Sequence, residues 1–150
     1  MKKVILTVAT VLIAGLSNAQ WKTRTVNNGF DDVYKICHTA YDNNAILKLE
    51  HLKNGHVLFY IQGGYYCDED PIVDLSFLVK NEWVKYTIIG TRGSQNDAVY
   101  FEDDLEIAEF SESFLQCSSL KIRINETYCD TEIYQFNMSG STNAFNFIKK

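Results

Sequence analysis

This sequence predicts an all-β fold, two antiparallel sheets packed as a sandwich and joined by short turns, with two short helices. Three observations carry it. Apolar residues alternate with polar ones through successive segments, the period of a strand with one buried face. β-Branched and aromatic residues are plentiful, with Phe, Trp and Tyr making up 13% of the chain; these types fit a pleated, half-buried surface. Short polar turns separate the alternating runs. A compact barrel is the competing architecture.

The elements follow in order. In 45–52, Ala45, Leu47 and Leu49 share one face, and Lys48 and Glu50 take the other. In 56–62, Val57, Phe59 and Ile61 share a face. Lys53-Asn54-Gly55 between them reads as a hairpin turn, because Asn-Gly accepts positive φ. In 72–80, Val73, Leu75, Phe77 and Val79 alternate with Asp74, Ser76 and Lys80. In 82–90, Val84, Tyr86 and Ile88 alternate with Lys85 and Thr87, with Asn81-Glu82 as the tight link. A polar loop from Thr91 to Asp97 leads to a strand holding Val99 and Phe101. Ser111 is placed to cap a helix over 112–117, with Phe110 and Leu115 as a hydrophobic staple. Leu120, Ile122 and Ile124 then alternate, followed by Tyr134, Phe136 and Met138. Ser141 is placed to cap a last helix over 142–149, with Ala144 and Ile148 on one face. That makes about seven strands. Residues 20–32 read as loosely tied.

The first nineteen residues read as a secretory signal peptide. Lys2 and Lys3 form a positive start, Val4 to Leu16 is almost wholly apolar, and Ser17-Asn18-Ala19 offers small residues for cleavage after Ala19. The apolar run is shorter than the ~20 residues a membrane span needs. Residues 20–150 then form a single domain in a secreted or periplasmic protein. Cleavage removes two lysines and no acid, so the net charge moves from −5 to −7. An acidic surface argues against nucleic acid as a partner. All four cysteines, Cys37, Cys67, Cys117 and Cys129, lie in the exported part and read as two disulfides. The 53–55 turn suggests Cys37 with Cys67. The remaining pair is awkward, because a hairpin over 120–137 would separate Cys117 from Cys129. Either that hairpin or that pairing must give way.

Chemistry-bearing motifs are sparse. Of His38, His51 and His56, the last two flank a turn, but no third metal ligand accompanies them. There is no Gly-x-Ser-x-Gly elbow, no His-Glu-x-x-His and no phosphate-binding glycine loop. No cofactor is expected, and the chain reads as a non-enzyme. Two acidic runs, Asp68-Glu69-Asp70 and Glu102-Asp103-Asp104, could supply oxygens to calcium but match no EF-hand spacing. The most suggestive stretch is Gln62 to Pro71. Gly63-Gly64 allows an unusual backbone course, and Tyr65 and Tyr66 precede Cys67 and the acids Asp68, Glu69 and Asp70. Exposed tyrosines beside a rigid anchor suit recognition of a protein or envelope component. Trp83 falls opposite Val84 and Tyr86, on the outer face or in a second core, and an aromatic ring on a sheet face can stack on a sugar. A carbohydrate-binding module, assisted by calcium, is therefore the alternative reading. Asn125-Glu126-Thr127 and Asn137-Met138-Ser139 are formal glycosylation sequons, relevant only to a eukaryotic secretory route.

One resemblance bears on this. Phe110 and Phe114, then Leu120-Lys121-Ile122-Arg123-Ile124, then Tyr134 through Phe145 with its Phe136-to-Gly140 step, follow an order similar to small exported bacterial β-sandwich proteins. These are the invasion-associated locus B family and the periplasmic proteins associated with type VI secretion. Trp21 and Phe30-Asp31-Asp32 echo their N-terminal part. The resemblance spans about residues 60–145. It implies a non-enzymatic envelope or secreted protein and carries over no catalytic residue.

Overall fold

The computed structural model describes residues 21–27, 33–39 and 42–150. The expected signal peptide and Phe30-Asp31-Asp32 lie outside the described residues. In chain order the strands are β1 (Lys22–Asn27), β2 (Val33–His38), β3 (Ile46–His51), β4 (Val57–Gln62), β5 (Ile72–Val79), β6 (Glu82–Ile89), β7 (Thr91–Arg92), β8 (Ala98–Glu102), β9 (Ser119–Asn125) and β10 (Glu132–Asn137). The helices are α1 (Ser111–Gln116) and α2 (Ser141–Lys149). The strands form a six-stranded sheet, β1-β2-β3-β4-β8-β7, and a four-stranded sheet, β10-β9-β5-β6. Every pairing is antiparallel. The sandwich expected from the alternation is the fold observed.

The alternation sets which side chains meet. Leu47, Leu49, Val57, Phe59 and Ile61 face inward from one sheet; Val73, Leu75, Phe77, Leu120, Ile122 and Ile124 face them from the other, all fully buried. Helix α1 and the residue before it insert rings into this core. Phe59 meets Phe114 at 5.0 Å and Phe101 at 5.1 Å between centroids, and Phe110 stacks on Phe77 at 5.7 Å. Such aromatic pairs add about 0.5–1.5 kcal/mol each beyond the area they bury. Helix α2 lies over β2 and β3 and buries Ala144, Phe145 and Ile148.

The turns follow their residues. Gly55 takes φ +89° within the turn of the β3–β4 hairpin, with His51 opposite Val57. Lys80 and Asn81 both take positive φ, as the right-handed twist of a two-residue hairpin requires. Between β6 and β7 only Gly90 intervenes, so one chain segment passes from one sheet to the other. A Cβ at Gly90 would lie 2.7 Å from Val99 Cγ1 and 3.0 Å from Val73 Cγ2, so only glycine lets the strand cross this corner.

Three strands escape the alternation reading. β1 has no apolar face, because it is a mostly exposed edge strand. β2 joins it, so part of the expected loose segment is paired sheet. β7 is two residues long and lies within the expected polar loop. Both helix caps also differ from expectation. Ser111 and Ser141 are the first helical residues, preceded by Phe110 and Gly140, and neither cap position makes a side-chain hydrogen bond. The Ser141 hydroxyl instead donates to Phe114 O at 3.3 Å, tying α2 to α1.

Candidate functional site

The segment from Gly63 to Pro71 leaves β4 and climbs across to β5. Gly63, at φ +115°, passes so close to Asn44 that a Cβ would stand 2.3 Å from its carbonyl oxygen. The next side chains part company. Tyr65 is 68% exposed, whereas Tyr66 is fully buried. The Tyr66 and Tyr134 hydroxyls meet at 3.3 Å, and burial, with that hydrogen bond, pushes the Tyr66 phenol well above its ordinary pKa. The expectation that both tyrosines serve as surface anchors is corrected here. Tyr66 belongs to the core, because consecutive residues in extended chain point to opposite sides.

A disulfide follows at once, joining Cys67 to Cys129 across 62 residues with Cα atoms 5.9 Å apart. This overturns the Cys37–Cys67 expectation and the expectation of two disulfides, since Cys37 and Cys117 are buried thiols. Cys37 lies on β2 opposite Leu49, which itself pairs with Phe59 near the closed end of the β3–β4 hairpin. Cys67 lies beyond the open end. The Cys37 thiol points into the core and reaches Ala144 O at 3.5 Å. Cys117 is also buried and unpaired, held apart from Cys129 by the β9–β10 hairpin. Burial pushes the Cys37 thiol up to about 11 and the Cys117 thiol up to about 12.

Polar bonds complete the clamp. Glu126 Oε1 accepts from Cys67 N at 2.6 Å and Asp68 N at 3.1 Å. Asp68 Oδ2 accepts from Thr127 N at 2.6 Å. The Arg92 guanidinium donates to Cys67 O and lies 4.0 Å from Glu69. Thus Asp68 and Glu69 are tied to different neighbours, and Asp70 stands exposed. They do not converge as calcium ligands. The one cluster of metal-ligand types among the described residues is Cys67, Glu126 and Cys129, whose sulfurs are spent on the disulfide. In the second acidic run, Asp104 accepts from Glu106 N and pairs with His56 at 3.4 Å. Tyr128, next to Cys129, is 83% exposed. Sequence reasoning passed over Tyr128 and Glu126; an aromatic adjoining a cysteine was the available signal for the first.

A second feature lies on the outer face of the four-stranded sheet. A shallow groove of about 420 Å³ is lined there by Asp74, Ser76, Lys85, Thr87, Lys121 and Arg123, among others. Register lays these out in rows. Arg123, Asp74 and Thr87 stand side by side, and the next row is Lys121, Ser76 and Lys85. Asp74 accepts from Thr87 Oγ1 at 2.7 Å, from Arg123 Nη2 at 2.7 Å and Nε at 2.9 Å, and from Asn125 Nδ2 at 3.0 Å. The Thr87 hydroxyl above all, then Arg123 and Asn125, hold its carboxyl below the usual carboxylate range despite partial burial. Trp83 stands in the row beyond the lysines, 39% exposed as its alternation implies. Lys121 Nζ lies 4.6 Å from its ring centroid. The same alternation places Ser76, Lys85 and Lys121 outward, but not as a cluster, because that needs the register.

No family model, no curated protein and no solved structure matches this chain. Among the described residues, no helix is long and apolar enough to cross a membrane.

Proposed function

We propose that this is a secreted or periplasmic binding protein without catalytic activity, which recognises a protein or envelope component at its disulfide-clamped end. One observation carries the reading: Tyr65 stands exposed between two fixed points, Gly63 seated on Asn44 and a buried Tyr66 followed by the disulfide. A ring held this way offers large contact area at little ordering cost. Tyr128 projects from the loop at the other end of the same disulfide. Inhibition of a secreted enzyme is a special case of this reading. The test is affinity capture by oxidised chain 20–150 from envelope and secreted fractions, with Tyr65→Ala and Tyr128→Ala controls. A stoichiometric partner lost in Tyr65→Ala, with an unchanged melting temperature, is the expected result. Undiminished capture by that variant rejects the assignment. Tyr66→Ala is no control, since truncating a buried ring costs ~3–5 kcal/mol of fold stability.

A second reading, carbohydrate binding, is favoured by the outer face of the four-stranded sheet. There a ligand-sized groove and an exposed Trp83 ring adjoin. Melting curves with calcium and with EDTA test whether the ion assists it. A glycan array decides whether sugars bind.

A further inference from the structure

We infer that the groove on the four-stranded sheet takes an acidic saccharide, a sugar bearing a carboxylate or sulfate. This rests on the carbohydrate reading of that face and adds the ligand's charge and its seat. The seat is Ser76. Its cross-strand neighbours are Lys85 on one side and Lys121 on the other. Strands lie ~4.8 Å apart, so the two lysine backbones stand about 10 Å apart with Ser76 midway. Their long stems allow both ammonium groups to close on one anion above the serine hydroxyl.

Charge singles out these two lysines. Arg123 is already neutralised by Asp74 at 2.7 Å, and Asp74 has its acceptor positions filled by Thr87, Arg123 and Asn125. Among the described residues no carboxylate comes within ion-pair distance of Lys85 or Lys121. A chain of net charge −5 repels anions over most of its surface, so an uncompensated cationic pair focuses them here.

The polar surroundings favour a sugar over an acidic peptide. An extended peptide gains affinity by adding main-chain bonds at a free sheet edge. The seat residue Ser76 lies on β5, which is paired on both sides and offers none; β6, which carries Lys85, is an edge strand, and tetraglutamate tests addition of a peptide there. What the face does offer is hydroxyls and amides, from Ser76, Thr87 and Gln135, with one outward apolar lining residue, Ile133. Trp83, next to the lysine row, has Lys121 Nζ 4.6 Å from its ring centroid, so a pyranose stacks on that ring as Lys121 swings to the anion above Ser76.

The experiment is an NMR titration of ¹⁵N-labelled, oxidised chain 20–150. The probes are tetragalacturonate, neutral maltotetraose, tetraglutamate and sodium sulfate. Tetragalacturonate is expected to shift the Trp83 indole and the amides of β5, β6 and β9. The Lys85→Gln/Lys121→Gln double variant should weaken it by about tenfold or more, and added salt should weaken it further. Lys22→Gln, on the far edge of the other sheet, should leave it unchanged. Equal binding of maltotetraose overturns the acidic preference and leaves the carbohydrate reading standing. No saccharide binding overturns both. Tetraglutamate binding as tightly overturns the choice of sugar over peptide. Sulfate matching tetragalacturonate means an adventitious ion only, and also overturns the inference. Both lysines are exposed, so the double variant should fold normally, which its amide spectrum checks.

Discussion

The two ends of this sandwich are closed by different physics. At one end, α1 and α2 fill the space with Phe110, Phe114, Ala144 and Ile148. Two cysteines lie in or beside that packing as thiols, Cys37 against α2 and Cys117 just after α1. At the other end the chain runs through glycines, acids and turns with few side chains to bury. Here the disulfide sits, with Glu126, Asp68 and Arg92 bonding the backbone around it. Where apolar burial is ample, cysteine behaves as a small hydrophobe. Where it is scarce, a covalent bond and charged hydrogen bonds take its place.

Each end can be broken separately. The largest loss is expected from Phe114→Ala, whose fully buried ring packs against Phe59 and Trp21. It should cost ~3–5 kcal/mol in urea unfolding; a cost below ~1 kcal/mol would show that the helical end does not carry the core. Removing the crosslink with Cys67→Ser/Cys129→Ser should cost about 2–4 kcal/mol by freeing a long loop in the unfolded chain. In the same samples, Cys37 and Cys117 should resist alkylation at pH 8 in native protein and both react once unfolded. Their thiols, raised to about 11 and about 12 by burial, carry little nucleophilic thiolate at that pH. Rapid native labelling of either would contradict its placement.

The smallest effect sharpens the contrast. Asn125, one residue from Glu126, bonds Asp74 and so extends the polar end onto the sheet face. The Asp74 carboxyl is lowered in the fold. Its contribution is therefore complete above the unfolded value of ~3.9 and fades as pH falls through the lower folded value. Wild type should exceed Asp74→Asn in stability at pH 7, and the gap should close below about pH 4. A gap that persists at pH 2 would assign the effect to something other than this titration.

Much of the fold was legible because its strands alternate. Val73, Leu75 and Phe77 give the core face of β5 directly, and Asn54-Gly55 gives the β3–β4 hairpin. β1 was not legible, since Lys22, Thr23 and Arg24 on an edge need no apolar face. The caps failed because Ser111 and Ser141 satisfy a local capping pattern that tertiary contacts override. Of the candidate site, the outward Tyr65 and Trp83 were readable from residue type and alternation. The inward turn of Tyr66 was not, because it depends on contact with Tyr134, 68 residues away. The Cys67–Cys129 bond is equally long-range. The hairpin objection to pairing Cys117 with Cys129 was sound; it is resolved by one disulfide, Cys67–Cys129, with Cys37 and Cys117 left as buried thiols.

The corner at Gly90 bears on how this protein meets its own copies. Two separate sheets would expose four strand edges, each a row of unpaired amides able to template another chain. Here β6 runs on into β7, so two of those edges turn into one another at the corner. A third, along β10, is blunted where Gln135 N donates to Asp42 Oδ2 at 2.6 Å. The fourth, β1, carries Lys22 and Arg24, charges that oppose edge-to-edge stacking. At high concentration such shielding lowers the chance that two copies template one another into aggregates.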